Sequence, residues 1–198
     1  PPSLRAKISF TPALPEQYTK FMAGAPMGSI SKVHAIFDRA FWREECWSGS
    51  AASNAKTCEF IADSSPPCGV PGILTSFIAG DRNLELINQP EEAVKKLVLD
   101  EFAQFFGPQA AQPKEFVWVK WQKEEWTGGA FTAFMKPGTW TGSGADGWRK
   151  PIDGIFWAGT EASDRWPGYF DGAIRAGKMA SLAALEKMLL EQEEACAA

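Results

Sequence analysis

Histidine and tyrosine are scarce in this 198-residue chain, which has one His (His34) and two Tyr (Tyr18 and Tyr169). With no second imidazole, and with Cys46, Cys58, Cys68 and Cys196 showing no C-x-x-C spacing, no metal centre is expected. Four cysteines over this length are too sparse for a secreted disulfide framework and predict reduced, structural thiols in an intracellular compartment. Long runs of like charge are also missing. The formal net charge of -4, from 20 basic and 24 acidic residues spread along the chain, argues against a nucleic-acid footprint or an anionic membrane surface. No apolar run reaches the length that spans a bilayer and no signal peptide is recognisable, so the sequence reads as soluble. The opening Pro1-Pro2-Ser3-Leu4 has no initiator Met, and a fragment or processed chain with more sequence upstream is expected.

What the sequence does have is bulk: 45% hydrophobic residues, with nine Trp and 14 Phe. That suffices for a buried core and also suits an apolar cavity or a large interface. Residues Leu4 to Phe10 and Ser29 to Phe37 alternate apolar and polar positions and predict strands, with a short helix between them begun near Pro15-Glu16. Trp47 to Ala52, Cys58 to Ala62, Ile73 to Ala79 and Phe116 to Trp121 read as further strands, which together suggest a mostly antiparallel sheet. Pro90 to Phe106 has the marks of a helix: Pro at its start, Glu91 and Glu92 at the positive end of the dipole, and Gly107-Pro108 to stop it. Val94, Leu97, Val98, Phe102 and Phe105 would line its apolar face. Ile155 to Ala158 reads as a short buried strand and Tyr169 to Leu190 as a long helix.

The strongest chemical signal is Ile155-Phe156-Trp157-Ala158-Gly159-Thr160-Glu161, followed closely by Trp166-Pro167-Gly168-Tyr169-Phe170-Asp171-Gly172-Ala173. A strand ending near a helix N-terminus aims unpaired N–H groups and a positive dipole end at one spot, which suits an anionic or electron-rich ligand. Gly159 and Gly168 would let that ligand approach the backbone. An ordinary strand-loop-helix connection has the same spacing. Along the helix Ala173, Ala176, Gly177, Ala180 and Ala184 form a small-residue stripe that invites close packing by another element. No G-x-G-x-x-G follows a strand; Gly142-Ser143-Gly144 with Gly147 lies in a Trp- and Gly-rich loop and fails that requirement.

These runs resemble the C-terminal flavin-binding signature of the flavin amine oxidases of the monoamine oxidase family, which reads much like F-A-G-T-E followed by W-x-G-Y-x-x-G-A. Upstream, Pro26 to Lys32 and Ala40-Phe41-Trp42 resemble the family's lysine-bearing strand, and Trp121 with Trp126-Thr127-Gly128-Gly129-Ala130-Phe131 resembles its tryptophan and glycine-pair segment. The likeness keeps order and spacing from Pro2 to about Leu185. It implies that Lys32 holds a water against flavin N5. It also implies that Phe131 and Tyr169 are the paired aromatics that sandwich the amine, with Phe131 departing from the tyrosine many relatives carry. Trp121, Ala130, Gly159, Thr160, Glu161, Gly168, Tyr169 and Phe170 match cofactor-binding positions. The vertebrate members have a flavin-linked cysteine where this chain has Ala130, so FAD is expected to be held non-covalently.

The resemblance implies an α/β flavoprotein. Residues 4–125 would form an α+β substrate-binding domain with a mostly antiparallel sheet, and residues 126–198 a return segment completing a Rossmann-like FAD domain whose N-terminal fingerprint half is missing. The expected partners are a small amine, oxygen and that missing half, with no nucleic acid or membrane; a homo-oligomer is compatible, and a cytoplasmic or peroxisomal location follows. The expected reaction takes amines to imines and aldehydes with release of hydrogen peroxide. A polyamine or L-amino-acid oxidase, and an inert interaction domain, are the alternatives. Arg149 and Arg165 are the arginines available to clamp a carboxylate, but neither matches a recognised position.

Overall fold

The computed structural model of the protein describes residues 1–142 and 149–197, which places Ser143, Gly144 and Gly147 of the glycine-rich loop outside the described residues. The chain divides into two compact units, Ser29–Glu125 on the one hand and Pro1–Gly28 with Trp126–Ala198 on the other.

The Ser29–Glu125 unit is built on a five-stranded antiparallel sheet of order β2-β3-β4-β1-β5. Its strands are β1 (Ile30–Phe37), β2 (Ala51–Ala52), β3 (Phe60–Asp63), β4 (Gly72–Ala79) and β5 (Glu115–Lys120). Alternation along β1 divides its side chains between two faces. Val33, Ala35 and Phe37 go into a core with Leu74, Ile78 and Trp118, while Lys32, His34 and Ile36 stay half-buried on the other face. In register, Lys32 lies opposite Phe77 on β4 and Val119 on β5, and His34 opposite Thr75 and Val117.

Among the α-helices are α1 (Pro2–Arg5), α2 (Glu16–Gly24), α3 (Gly80–Leu86), α4 (Glu91–Phe106), α5 (Thr139–Gly142) and α6 (Phe170–Ala197). Helix α4 covers the core face of the sheet with Val94, Val98, Leu99, Phe102 and Phe106, all buried. Leu97 and Phe105, expected on that face with them, are half-buried. Truncating the fully buried Phe102 to Ala would cost roughly 3–5 kcal/mol. Glu101, also buried, accepts hydrogen bonds from the Thr57 and Cys58 amides at 2.9 and 2.8 Å, tying the loop before β3 to the helix.

Several expected elements differ. Leu4 to Phe10 forms no strand: Pro2 occupies the first turn of α1, where its missing N–H costs nothing, and turn bonds from Lys7 to Leu4 and Ile8 to Arg5 curl the chain onward. Trp47 to Ala52 shortens to Ala51–Ala52, because Cys46 (φ 58) and Gly49 (φ 71) turn the backbone left-handed. Ile155 to Ala158 makes a single bridge, Ile152 to Ile155, and residues 156–158 pair with no strand among the described residues. An extended segment becomes a strand only beside a neighbour. Helix α3 was not anticipated, since a short run after Gly80 carries no apolar period. Among the described residues no helix is long and apolar enough to cross a membrane.

The second unit has its own small core of Tyr18, Phe21, Met22, Ala25, Ala133, Ala162 and Ala176. Trp157 packs at its edge, 5.8 Å from the Tyr18 ring and capped by the Arg5 guanidinium at 4.8 Å.

Candidate active site

In the second unit the segment bearing Ala130 and Phe131 is laid against residues 26–28. Gly28 N–H donates to Thr132 at 3.1 Å, Ala130 N–H to the Gly28 carbonyl at 3.0 Å, and Phe134 N–H to Pro26 at 2.8 Å. The approach needs glycine at Gly28, where a Cβ would lie 2.2 Å from the Ala130 carbonyl oxygen. It needs glycine again at Gly129 (φ 149), where a Cβ would lie 2.6 Å from the Gly28 carbonyl oxygen. The Ala130–Phe131 peptide bond is cis.

Two side chains fasten this segment and the start of α6 to the turn that follows Gly159. Glu161 is buried, and its Oε1 accepts hydrogen bonds from the Ala133 amide at 2.9 Å and the Thr132 hydroxyl at 3.1 Å. Its charge also reaches Arg5, whose pKa is lowered by burial and drawn back up by Glu161. The Thr160 hydroxyl accepts from Gly168 N–H at 2.6 Å and donates to the Tyr169 carbonyl at 3.0 Å. Gly159 (φ 114) and Gly168 (φ 86) supply the left-handed conformations these turns require.

The result is a cavity of about 470 Å³ lined by Phe131, Thr160, Gly168, Tyr169, Phe170 and Ala173. No lining side chain is charged, and three of the six are aromatic. All three aromatic rings are exposed, Phe170 at 91%, so the cavity presents π-faces beside the first turn of α6. Flat apolar walls beside helix N–H groups fit one side of a planar, electron-rich ring system such as isoalloxazine. Ala130 offers no nucleophile for a covalent bond to it.

Of the residues singled out from sequence, Ala130, Phe131, Gly159, Thr160, Glu161, Gly168, Tyr169 and Phe170 are thus brought together in this unit. Glu161 differs from the rest in acting on the protein's own backbone. Lys32 and Trp121 belong to the sheet unit. There β5 runs antiparallel to β1 with Lys120 opposite Ser31, which puts Trp121, in a turn just past β5, at the Lys32 end of the sheet. The Lys32 ammonium lies 5.6 Å from the centre of the Phe77 ring. Arg165 is exposed and near Asp164, 4.0 Å away, and takes no part in the cavity. Sequence reasoning missed the supports, namely Gly28 against Gly129, Thr132, and Thr75 beside His34. Each depends on pairing between segments distant in sequence, and only the glycines left a trace in the sequence.

A glycine-held aromatic cavity at a helix N-terminus can take one face of a flat, electron-rich ligand. The chain belongs to the flavin containing amine oxidoreductase family, whose model matches residues 1–185. It is 39% identical over 183 residues to an L-amino acid dehydrogenase of Synechocystis sp., covering 92% of this chain and 39% of that protein. It is 35% identical over 185 residues to the flavin-containing amine oxidase A of Equus caballus, covering 91% of this chain and 35% of that one. Its structure superposes on cyclohexylamine oxidase from Brevibacterium oxydans with a TM-score of 0.88 at 34% identity, covering 94% of this chain and 41% of the other. The chain therefore spans well under half the length of these relatives. The α/β class follows from this membership, which is that of a flavin-dependent enzyme family.

Proposed function

We propose that the complete protein is an FAD-dependent oxidase that converts small amines to imines, which hydrolyse to aldehydes, while oxygen is reduced to hydrogen peroxide. The observation that carries this reading is the uncharged aromatic cavity of Phe131, Tyr169 and Phe170, fixed by Thr160 and Gly168. Bound FAD supplies the acceptor for the hydride equivalent that leaves the carbon next to nitrogen. The protein's residues position and polarise. Phe131 and Tyr169 orient the amine through their ring faces, and their apolar surroundings favour its neutral, oxidisable form. Gly159, Gly168 and the first turn of α6 at Phe170 hold the flavin's ring system, with Trp121 packing beside it and Thr160 and Glu161 keeping the cradle in shape. Lys32 orients a water at flavin N5 and balances charge during electron transfer to oxygen. Residues 29–125 then act as the substrate-binding domain, and the remainder joins an upstream FAD-binding half.

The absence of a charged side chain from the cavity favours amines with apolar bodies over amino acids, whose carboxylate would need a cationic partner. The test uses the full-length holoenzyme. An alkyl or aryl monoamine should bleach the flavin anaerobically and release hydrogen peroxide in air. Bleaching by L-amino acids with none by monoamines would overturn the assignment, as would bleaching by monoamines with no reoxidation by oxygen.

A further inference from the structure

His34 sits at the centre of the open face of the sheet, and its surroundings are unusual for an imidazole. Along β1 it lies between Lys32 and Ile36 on that face; across β4 it meets Thr75, and across β5 Val117. The next positions on the same face are Phe77 and Ile73 of β4, Val119 of β5, and the exposed Glu115 opposite Ile36. Nδ1 lies 2.8 Å from the Thr75 hydroxyl. That bond fixes the ring's orientation and leaves Nε2 without a partner among the described residues. A half-buried ring held by one hydrogen bond keeps its second nitrogen available to a ligand group on this face.

The charge state of the ring narrows what that group is. Burial, and after it the charge of Lys32, push the His34 pKa below its ordinary value, so the ring is neutral at neutral pH. The Thr75 hydroxyl can donate to Nδ1 or accept from it, so Nε2 can offer either a lone pair or an N–H. A distal ammonium arriving here would be repelled by Lys32, whereas a hydroxyl can use either face of Nε2. Two residues of strand separate the Lys32 and His34 positions by about 7 Å, a spacing suited to a molecule whose amine end reacts near Lys32 while its far end carries the hydroxyl.

We propose that His34, oriented by Thr75, is a specificity-determining residue that hydrogen-bonds a neutral hydroxyl on the body of the amine substrate, and so selects hydroxyaryl-alkylamines over their unsubstituted counterparts. This rests on the reading of Lys32 as the residue at the reacting end.

The test compares tyramine with phenethylamine, which differ by one hydroxyl, in the full-length holoenzyme. The unaltered enzyme should prefer tyramine in kcat/KM. His34→Leu should lower kcat/KM for tyramine by about tenfold and leave phenethylamine within about twofold, with flavin content and circular dichroism unchanged. Thr75→Val, which frees the ring without removing it, should lose part of the preference, and His34→Gln, which can still donate and accept, should retain part of it. A tyramine-to-phenethylamine ratio unchanged by both His34 substitutions, or an equal fall for both amines, overturns the proposal. Oxidation of neither amine by the unaltered enzyme would instead overturn the amine-oxidase reading on which it stands.

Discussion

The hydroxyl of Thr160 accepts a hydrogen bond from the amide of Gly168 at 2.6 Å, and by donating to the next carbonyl, that of Tyr169, it fixes the two residues that lead into α6. Thr160→Val keeps the shape and removes both bonds, leaving the Gly168 amide without its partner. The expected cost is about 1–3 kcal/mol of stability, together with a fall in amine turnover as Tyr169 loses its place. Thr160→Ser should recover most of both. Urea unfolding read beside kcat/KM checks the pair, and a valine variant with full stability and activity would show that the turn holds without the hydroxyl.

Asp63 is the charged hub of the sheet unit. Its Oδ2 accepts from the Trp42 indole at 2.8 Å and from Arg43 Nε at 2.7 Å, and its Oδ1 from the Ser65 amide at 2.8 Å. Burial pushes its carboxyl upward, but the bonds from Arg43, Ser65 and Trp42 outweigh it and hold the pKa at about 2, below the ordinary 3.8. A carboxylate with a depressed folded-state pKa contributes stability that is fully present above the unfolded value and lost as pH falls through the folded one. Stability should therefore drop between about pH 4 and pH 2, and Asp63→Asn should flatten that drop while lowering stability at neutral pH. Thermal melts across this range decide it; parallel pH profiles for the two proteins would assign the acid loss to other groups.

Much of the scaffold was legible because it obeys local rules. Pro90, Glu91, Glu92 and Gly107 bracket α4 within a residue of its ends, and alternation from Ile30 to Phe37 marks β1. The readings that failed depended on partners. Residues 156–158 look like a buried strand yet pair with none among the described residues, and Trp47 looks extended until Cys46 and Gly49 curl the chain. The site divides the same way. The runs at Gly159 and Gly168 announce close backbone approach by their glycines, and the structure gathers them around one cavity. Glu161 matched a cofactor position by its place in a motif, but its bonds to Ala133 and Thr132 could not be read from residues about thirty apart in sequence. His34 carried no signal beyond its solitude; its meaning comes from a register that sets it opposite Thr75.

On the proposed placement of the flavin, Ala130 is the residue that would have to supply a covalent attachment. With no nucleophile there, flavin should be released when the full-length protein is denatured. Acid precipitation followed by absorbance of the supernatant measures this directly, and yellow colour remaining in the pellet would require another attachment residue.

Lys32 is set on the open face of the sheet, with its ammonium 5.6 Å from the centre of the Phe77 ring and Val119 across the other ladder. Orienting a water and stabilising charge as electrons pass to oxygen is worth ~3 kcal/mol for a preorganised group. Lys32→Met keeps the apolar stem over Phe77 and removes only the head group, so folding should be little changed. Stopped-flow measurement of flavin reduction by amine and of reoxidation by oxygen should then show at least one step slowed by about tenfold or more, ~1.4 kcal/mol. Lys20 supplies the control: it pairs with Glu16 on the exposed side of α2 at 3.0 Å, and its loss should leave both steps unchanged. If Lys32→Met and Lys20→Met both run at the unaltered rate, Lys32 is a solvent-facing strand residue and the water at N5 must be held by another group.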